Sequence, residues 1–151
     1  MFNQTATLLK DRLNFDAILT RPRPTGRRAI MSNLFVDAKV LASAEDDGCE
    51  GILGYIYEFS NGEVAIVSDH FTTGVSYDTY DGVPDHEVKH ILTELVGSAK
   101  IFPGVKDAFL YLRKSKQDNA TYYELRDLVD PLIKNLYKNK AINLHEILGE
   151  V

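Results

Sequence analysis

Three residues near the middle of the chain have the types and the spacing of a zinc hydrolase site. His86, Glu87 and His90 form the sequence HEVKH within VPDHEVKHIL. On a helix, residues four apart lie on the same face, so both imidazoles can bind one zinc ion. The intervening glutamate then serves as the base that activates a zinc-bound water. The spacing therefore predicts His86 and His90 as metal ligands and Glu87 as the catalytic residue.

In these five residues the chain resembles the zincin metallopeptidases, whose H-E-x-x-H motif lies on a helix. The resemblance implies a zinc-dependent hydrolase with zinc as its cofactor. It covers five of 151 residues, and a longer HExxHxxGxxH motif is absent because Thr93 and Val96 occupy its last two fixed positions. Glu94 and Glu124 are the candidates for a third ligand.

The same residues are also typical of the exposed first turn of a helix. Pro84 is well suited to the beginning of a helix, and acidic residues there are stabilised by the helix dipole. We favour this interpretation. It makes the chain a protein without catalytic activity or cofactor, with the zinc hydrolase as the alternative.

Charge is divided unevenly along the chain, whose net charge is −5. Residues 1–31 carry six bases and two acids, and residues 89–151 carry ten bases and eight acids. Residues 40–88 contain no lysine or arginine. The eleven acids of this segment are Glu45, Asp46, Asp47, Glu50, Glu58, Glu63, Asp69, Asp78, Asp81, Asp85 and Glu87. Such a division predicts separate surfaces that select partners by charge.

The basic residues near the N-terminus lie in TRPRPTGRR, within residues 20–31. Two prolines favour extended backbone there, which predicts an exposed arm. Its arginines, Arg21, Arg23, Arg27 and Arg28, could follow phosphates or contact an acidic protein surface. The acidic segment of the same chain favours a protein surface, so direct binding of nucleic acid is the weaker alternative.

We therefore expect an interaction or accessory protein whose acidic surface, residues 40–88, binds a basic protein. It would act as a nucleic-acid mimic or inhibitor, and the arm would supply a second contact or join copies head to tail. Small accessory proteins of this type are typical of viruses and mobile elements. Apart from the four arginines, the expected contact residues are Glu45, Asp46, Asp47, Asp69, Asp78 and Asp81.

The hydrophobic pattern predicts an α+β fold in a single domain, residues 1–151. A helix over residues 4–18 precedes a segment, 34–47, that fits helix and strand alike; its length and alanine content favour helix. Segments 51–59 and 63–71 are rich in β-branched and aromatic residues, with an Asn-Gly turn between them. A third strand at 72–80 completes a three-stranded antiparallel meander.

Helices are predicted to follow the sheet. Asp85 would be the N-cap of a helix that buries Val88, Ile91, Leu92 and Leu95. A second helix is expected within 102–114. A third, at 120–130, opens with the capping box of Thr121 and Glu124 and continues past Pro131 from a cap at Asp130. A short amphipathic turn, 143–151, ends the chain.

Two further patterns concern location and binding. No apolar run is long enough to cross a membrane and the N-terminus does not have the pattern of a signal peptide. The single cysteine, Cys49, fits a reducing cytoplasm. Tyr55, Tyr57, Tyr77 and Tyr80 could stack on RNA bases, but among so many acids we expect them to pack in the core.

Overall fold

A computed structural model describes residues 9–24, 26–46, 52–69, 82–97, 99–118, 128–139 and 141–143. The predicted third strand, the capping-box helix up to residue 127 and the C-terminal turn from residue 144 lie outside these ranges. The chain divides into two compact units, one made of Met1–Asp37 and Thr72–Ala99, the other of Ala38–Phe71 and Lys100–Val151. That they form one domain stays a prediction.

The α+β class is confirmed, but among the described residues the antiparallel sheet already has four strands where three were expected. In the second unit, β1 (Ala38–Asp46), β2 (Ile52–Phe59), β3 (Val64–Asp69) and β4 (Lys100–Phe102) lie side by side in chain order. Strands β2 and β3 were predicted. β1 lies in the segment for which strand was the less favoured alternative, and the three-residue β4 was not predicted; these two are the outer strands of the described sheet.

The turn between β2 and β3 has the geometry expected of Asn-Gly. Gly62 has a φ of 93°, a conformation that glycine adopts without steric cost. Its N–H donates to the carbonyl of Phe59, and the Phe59 N–H donates to the carbonyl of Glu63, both at 2.8 Å. The Asn61 side chain accepts from the Glu63 N–H at 2.9 Å. The local sequence therefore sets the register of this hairpin.

The favoured helix at 34–47 is wrong, because residues from Ala38 to Asp46 form β1. The register of β1 against β2 shifts between Val40 and Ala42. Leu41 and Ala42, adjacent in the chain, are both buried in one core cluster. A β-bulge thus reproduces the paired apolar positions that a helical pattern shows.

The described part of the predicted N-terminal helix, from Leu9 onward, is not one continuous helix. A 3-10 helix covers Leu9–Arg12 and α1 covers Phe15–Leu19. Between them, Leu13 forms a β-bridge with Phe35. Asn14 is the N-cap of α1, and its side chain accepts from the Ala17 N–H at 3.2 Å. Asparagine competes with the helical backbone for hydrogen bonds, so it begins a new helix here.

The prediction of an exposed arm over residues 20–31 is wrong for much of that segment. A short helix, α2 (Arg27–Ser32), begins after Gly26 and buries Ile30 and Met31. Arg23 is only 5% exposed. The residues that precede the two prolines are indeed not helical, but a non-helical segment can still be buried.

The helix carrying HEVKH is confirmed as α3, Asp85–Gly97, and it buries Val88, Ile91, Leu92, Leu95 and Val96. Its beginning differs from the prediction. The Pro84 carbonyl accepts from the N–H groups of Glu87 and Val88 at 3.0 and 3.1 Å. Pro84 therefore occupies the cap position, and the Asp85 side chain bonds elsewhere.

Two further helices are described in the second unit. α4 (Val105–Asp118) was predicted, and α5 (Val129–Lys138) begins before Pro131, which lies in its first turn. The predicted cap at Asp130 is wrong, since the N-cap is Leu128 without a side-chain hydrogen bond. Apolar residues of both helices and of the sheet form one buried cluster: Leu41, Ala42, Ile56, Val64, Ile66, Ala108, Phe109, Leu112, Leu128, Val129, Leu132, Leu136 and Ile142.

Helix α5 also covers the edge strand β1. The side-chain amides of Asn135 and Asn139 donate to the carbonyls of Ser43 and Leu41, at 2.7 and 2.9 Å. Carbonyls on an edge strand otherwise pair with another chain. Asn135 within α5 and Asn139 at its C-cap thus satisfy part of this edge.

Candidate functional site

The exposed face of α3 (His86, Glu87, His90 and Glu94, with Asp85 at its beginning) carries the residues that the sequence singled out. His86, His90 and Glu94 follow one another at intervals of four, so they form a single stripe. The side chains of all five residues of this face are exposed, and the opposite side of the helix is buried. The predicted motif residues therefore do share one helix face.

A buried arginine binds the beginning of this helix. The Arg23 guanidinium donates to the Asp85 carboxylate at 2.5 Å and to the Val83 carbonyl at 2.9 Å. The Arg23 side chain is 1% exposed, whereas that of Asp85 remains 60% exposed. The arginine thus fixes the chain entering α3 while the carboxylate stays in contact with water.

Lys89, the only lysine within α3, lies beside an aromatic ring. Its ammonium is 5.5 Å from the centroid of the Phe15 ring, which belongs to α1. A cation at this distance is attracted to the face of the ring. Lys89 therefore contributes to the contact with α1 and not to the stripe of His86, His90 and Glu94.

As a zinc site, HEVKH offers two ligands on one face. Within the described ranges, no group of three histidine, cysteine, aspartate or glutamate side chains is arranged to hold a metal ion. Glu94 follows His90 by one further turn of the helix. Glu124 lies outside the described residues.

The described acidic residues of segment 40–88 are not all exposed. Glu58 is paired across the sheet with Lys39, whose ammonium is 3.4 Å away. Asp69 is only 1% exposed, and Glu45 is half-buried. The side chain of Asp46, and the whole of Asp47, Asp78 and Asp81, lie outside the description. Burial therefore removes Asp69 from the expected contact set.

The four arginines expected in the arm have different surroundings. Arg21 and Arg28 are exposed, and Arg27 is half-buried. Arg23 contacts an acidic residue, as charge complementarity suggested, but that residue is Asp85 of the same chain. Sequence alone could not distinguish an intramolecular acid from one on a partner.

Two of the tyrosines pack in the interior, as expected. Tyr55 and Tyr57 lie on one face of β2, with ring centroids 5.9 Å apart in a stacked arrangement. Both are buried, so neither ring offers a surface to RNA bases. Burial, together with the nearby Tyr55, raises the pKa of the Tyr57 hydroxyl well above its ordinary value. Tyr77 and Tyr80 lie outside the described residues.

Glu94 is the member of the exposed face that charge analysis missed, because it follows the lysine-free segment. The signal was its helical spacing from His90.

Among the described residues, no helix combines the length and the apolar character needed to cross a membrane. Comparison with known proteins found no matching family model, no similar curated protein and no similar solved structure.

Proposed function

We propose that the chain is a non-enzymatic interaction protein that binds a basic protein partner through the exposed face of α3. The supporting observation is that Asp85, Glu87 and Glu94 are all exposed on one helix whose other side is buried. The partner surface would be rich in lysine or arginine.

Rigidity of the helix supports this role. Five buried apolar side chains secure α3, and each contributes about 1.5–3 kcal/mol through burial. Arg23 additionally holds its beginning through Asp85 and Val83. The backbone of an ordered helix loses little conformational freedom on binding, so more of the attraction of its carboxylates appears as affinity.

Electrostatic recognition of this kind mainly accelerates encounter and selects partners. Within the described ranges, neither Glu87 nor Glu94 forms an ion pair. Their charges therefore extend into solvent, where salt screens them over about 8–10 Å. Arg21 and Arg28, which are exposed, would provide the second contact.

Mimicry of nucleic acid is tested by competition. A lysine-rich histone bound to labelled duplex DNA would be titrated with the wild-type chain and with Glu87→Gln/Glu94→Gln. We expect the wild type to displace DNA and the variant to displace it less. Asp107→Asn/Asp130→Asn changes the net charge equally at two exposed acids on α4 and α5, of which Asp130 is paired with Lys116; this control should compete like the wild type. Equal competition by all three proteins would contradict the proposal.

Self-assembly through the arginines is better tested by substitution than by deleting residues 1–28. That deletion would remove Leu9, Leu13 and Ile18, which are buried. Arg21→Ser/Arg28→Ser changes only exposed positions. If copies associate through these arginines, light scattering will give a smaller mass for the variant; a mass equal to that of the wild type excludes the arginine contact.

The zinc-dependent hydrolase is the second candidate, and the observation that favours it is the confirmed helix with His86, Glu87 and His90 on one face. Hydrolysis would require Glu87 as base. In a peptide-hydrolysis assay with added zinc, the Glu87→Gln variant should then have no activity. Absence of zinc-dependent hydrolysis in the wild type would eliminate this candidate.

A further inference from the structure

We propose that His86 and His90 form a two-histidine binding site for a divalent transition-metal ion on the exposed face of α3. This site would bind an ion whether or not the chain recognises a basic partner and requires no hydrolytic activity.

The helix places the two imidazoles on the same face, one turn apart. Four residues of α-helix advance about 6 Å along the axis and return to nearly the same face. Both histidines are exposed. Within the described part of the chain, neither side chain has a hydrogen-bond or ion-pair partner that an incoming ion would have to replace. The backbone that carries them is fixed by the buried side of α3.

Charges around the histidines favour a cation. The Glu87 carboxylate adjoins His86 in the chain, and the Glu94 carboxylate lies one turn beyond His90; both are exposed. The Lys89 ammonium is held near the ring of Phe15. An ion at the two imidazoles therefore has carboxylates as its neighbours on the helix surface.

Ligand chemistry defines the class of ion. Imidazole nitrogen suits zinc, copper and nickel, whereas magnesium and calcium require oxygen ligands. With two protein ligands, the remaining coordination positions would be occupied by water. We therefore expect reversible binding, weaker than that of a structural four-ligand zinc site.

The test is calorimetric titration of the full chain, purified without a His tag, with zinc and nickel chloride. Linking two binding groups raises affinity by a factor of about 100 or more. His90→Ala should therefore weaken binding by about that factor, and so should His86→Ala. Magnesium chloride should give no binding heat at the same concentrations.

Spacing can be separated from histidine number because Glu94 lies on the same exposed stripe. His86→Ala/Glu94→His keeps two histidines four residues apart and should restore zinc affinity. His90→Ala/Glu94→His also keeps two, but eight residues and about 12 Å apart along the axis, and should not restore it. Circular dichroism would verify that each variant retains its helix content.

The result that supports the site is rescue by the first double variant alone. Rescue by both variants or by neither would overturn it, as would wild-type affinity in His86→Ala/His90→Ala. The last result would place the binding at other ligands of the chain.

Discussion

Arg23 and Asp85 are 62 residues apart in the chain, and the buried guanidinium of the first donates to the carboxylate of the second. The contact connects a segment expected to extend into solvent with the beginning of the helix that carries HEVKH. Its two partners differ in environment, because only the arginine is removed from water. Loss of the carboxylate would therefore leave a buried charge with one fewer acceptor.

Asp85→Ala should lower the free energy of unfolding by about 1–2 kcal/mol, the cost of a missing hydrogen bond to a buried charged group. Asp85→Asn retains an acceptor and should cost less. Glu87→Ala removes another first-turn acid, but one without an ion pair among the described residues, so it should change stability by at most about 0.5 kcal/mol. Urea unfolding of the three variants measures these differences. Equal losses for Asp85→Ala and Glu87→Ala would mean that only the helix dipole is involved.

Gly54→Ala should destabilise the second unit. A Cβ at this position in β2 would lie 2.8 Å from Cδ1 of Leu128 and 3.3 Å from Cδ1 of Leu132. Overpacking costs about 1–3 kcal/mol, partly offset by the lower entropy cost of ordering alanine in a strand.

The effect should depend on Leu128, which is fully buried. Leu128→Ala alone should cost about 2–5 kcal/mol, and in that background Gly54→Ala should cost less than in the wild type. Chemical unfolding of the double-mutant cycle gives the coupling. Additive losses would show that the close approach of Leu128 is not the cause.

Asn135→Ala should lower the free energy of unfolding and leave the edge of β1 less covered. It leaves the Ser43 carbonyl without the amide donor, and one such bond contributes about 0.5–1.5 kcal/mol. Asn135→Asp should cost more, because it places a carboxylate against the carbonyl oxygen. Lys138→Ala, an exposed change on the same helix, is the control. Both asparagine variants should also aggregate faster in thioflavin T assays; aggregation no faster than in the control would show that this edge needs no protection.

Tyr57 should make stability depend on pH in the alkaline range. Its ordinary pKa is 10.0, and burial, then Tyr55, raises the pKa in the folded chain. Above the ordinary value the unfolded chain releases the proton while the folded chain keeps it, so stability falls as pH rises. The stabilising contribution is complete below the unfolded pKa and is lost as the pH rises through the folded one.

The slope from this single proton is about 1.4 kcal/mol per pH unit. Tyr57→Phe should lack it, although its stability at neutral pH also changes through lost hydroxyl contacts. Unfolding free energies of both proteins, measured from neutral pH to above the ordinary tyrosine pKa, would show the difference in slope. Parallel curves would mean that the hydroxyl ionises equally in both states.

Periodic patterns over long segments predicted the correct elements. The four apolar residues assigned to the buried side of α3 are buried, and Asn61-Gly62 forms the turn between β2 and β3. The errors arose where one residue changed the period. The register shift beside Leu41 made a strand resemble a helix, and Asn14 divided a helical pattern in two.

Charge patterns predicted less than periodicity did, because charge along the chain does not determine burial. Asp69 belongs to the acidic segment yet is buried at the end of β3, and Arg23 belongs to the basic one yet is buried as well. Lys39 lies just outside the lysine-free segment but pairs with Glu58 because the strands are adjacent. Conversely, Glu94 lies outside that segment but extends the exposed face of α3.

The most direct test of the proposed recognition is the affinity of the chain for a fluorescent oligolysine peptide, followed by anisotropy at increasing salt. We expect binding at low salt that weakens steadily as salt rises, and a clearly lower affinity for Glu87→Gln/Glu94→Gln. Asp107→Asn/Asp130→Asn changes the net charge equally and should bind like the wild type. Equal affinity of the two double variants, or binding indifferent to salt, would contradict recognition by the carboxylates of α3.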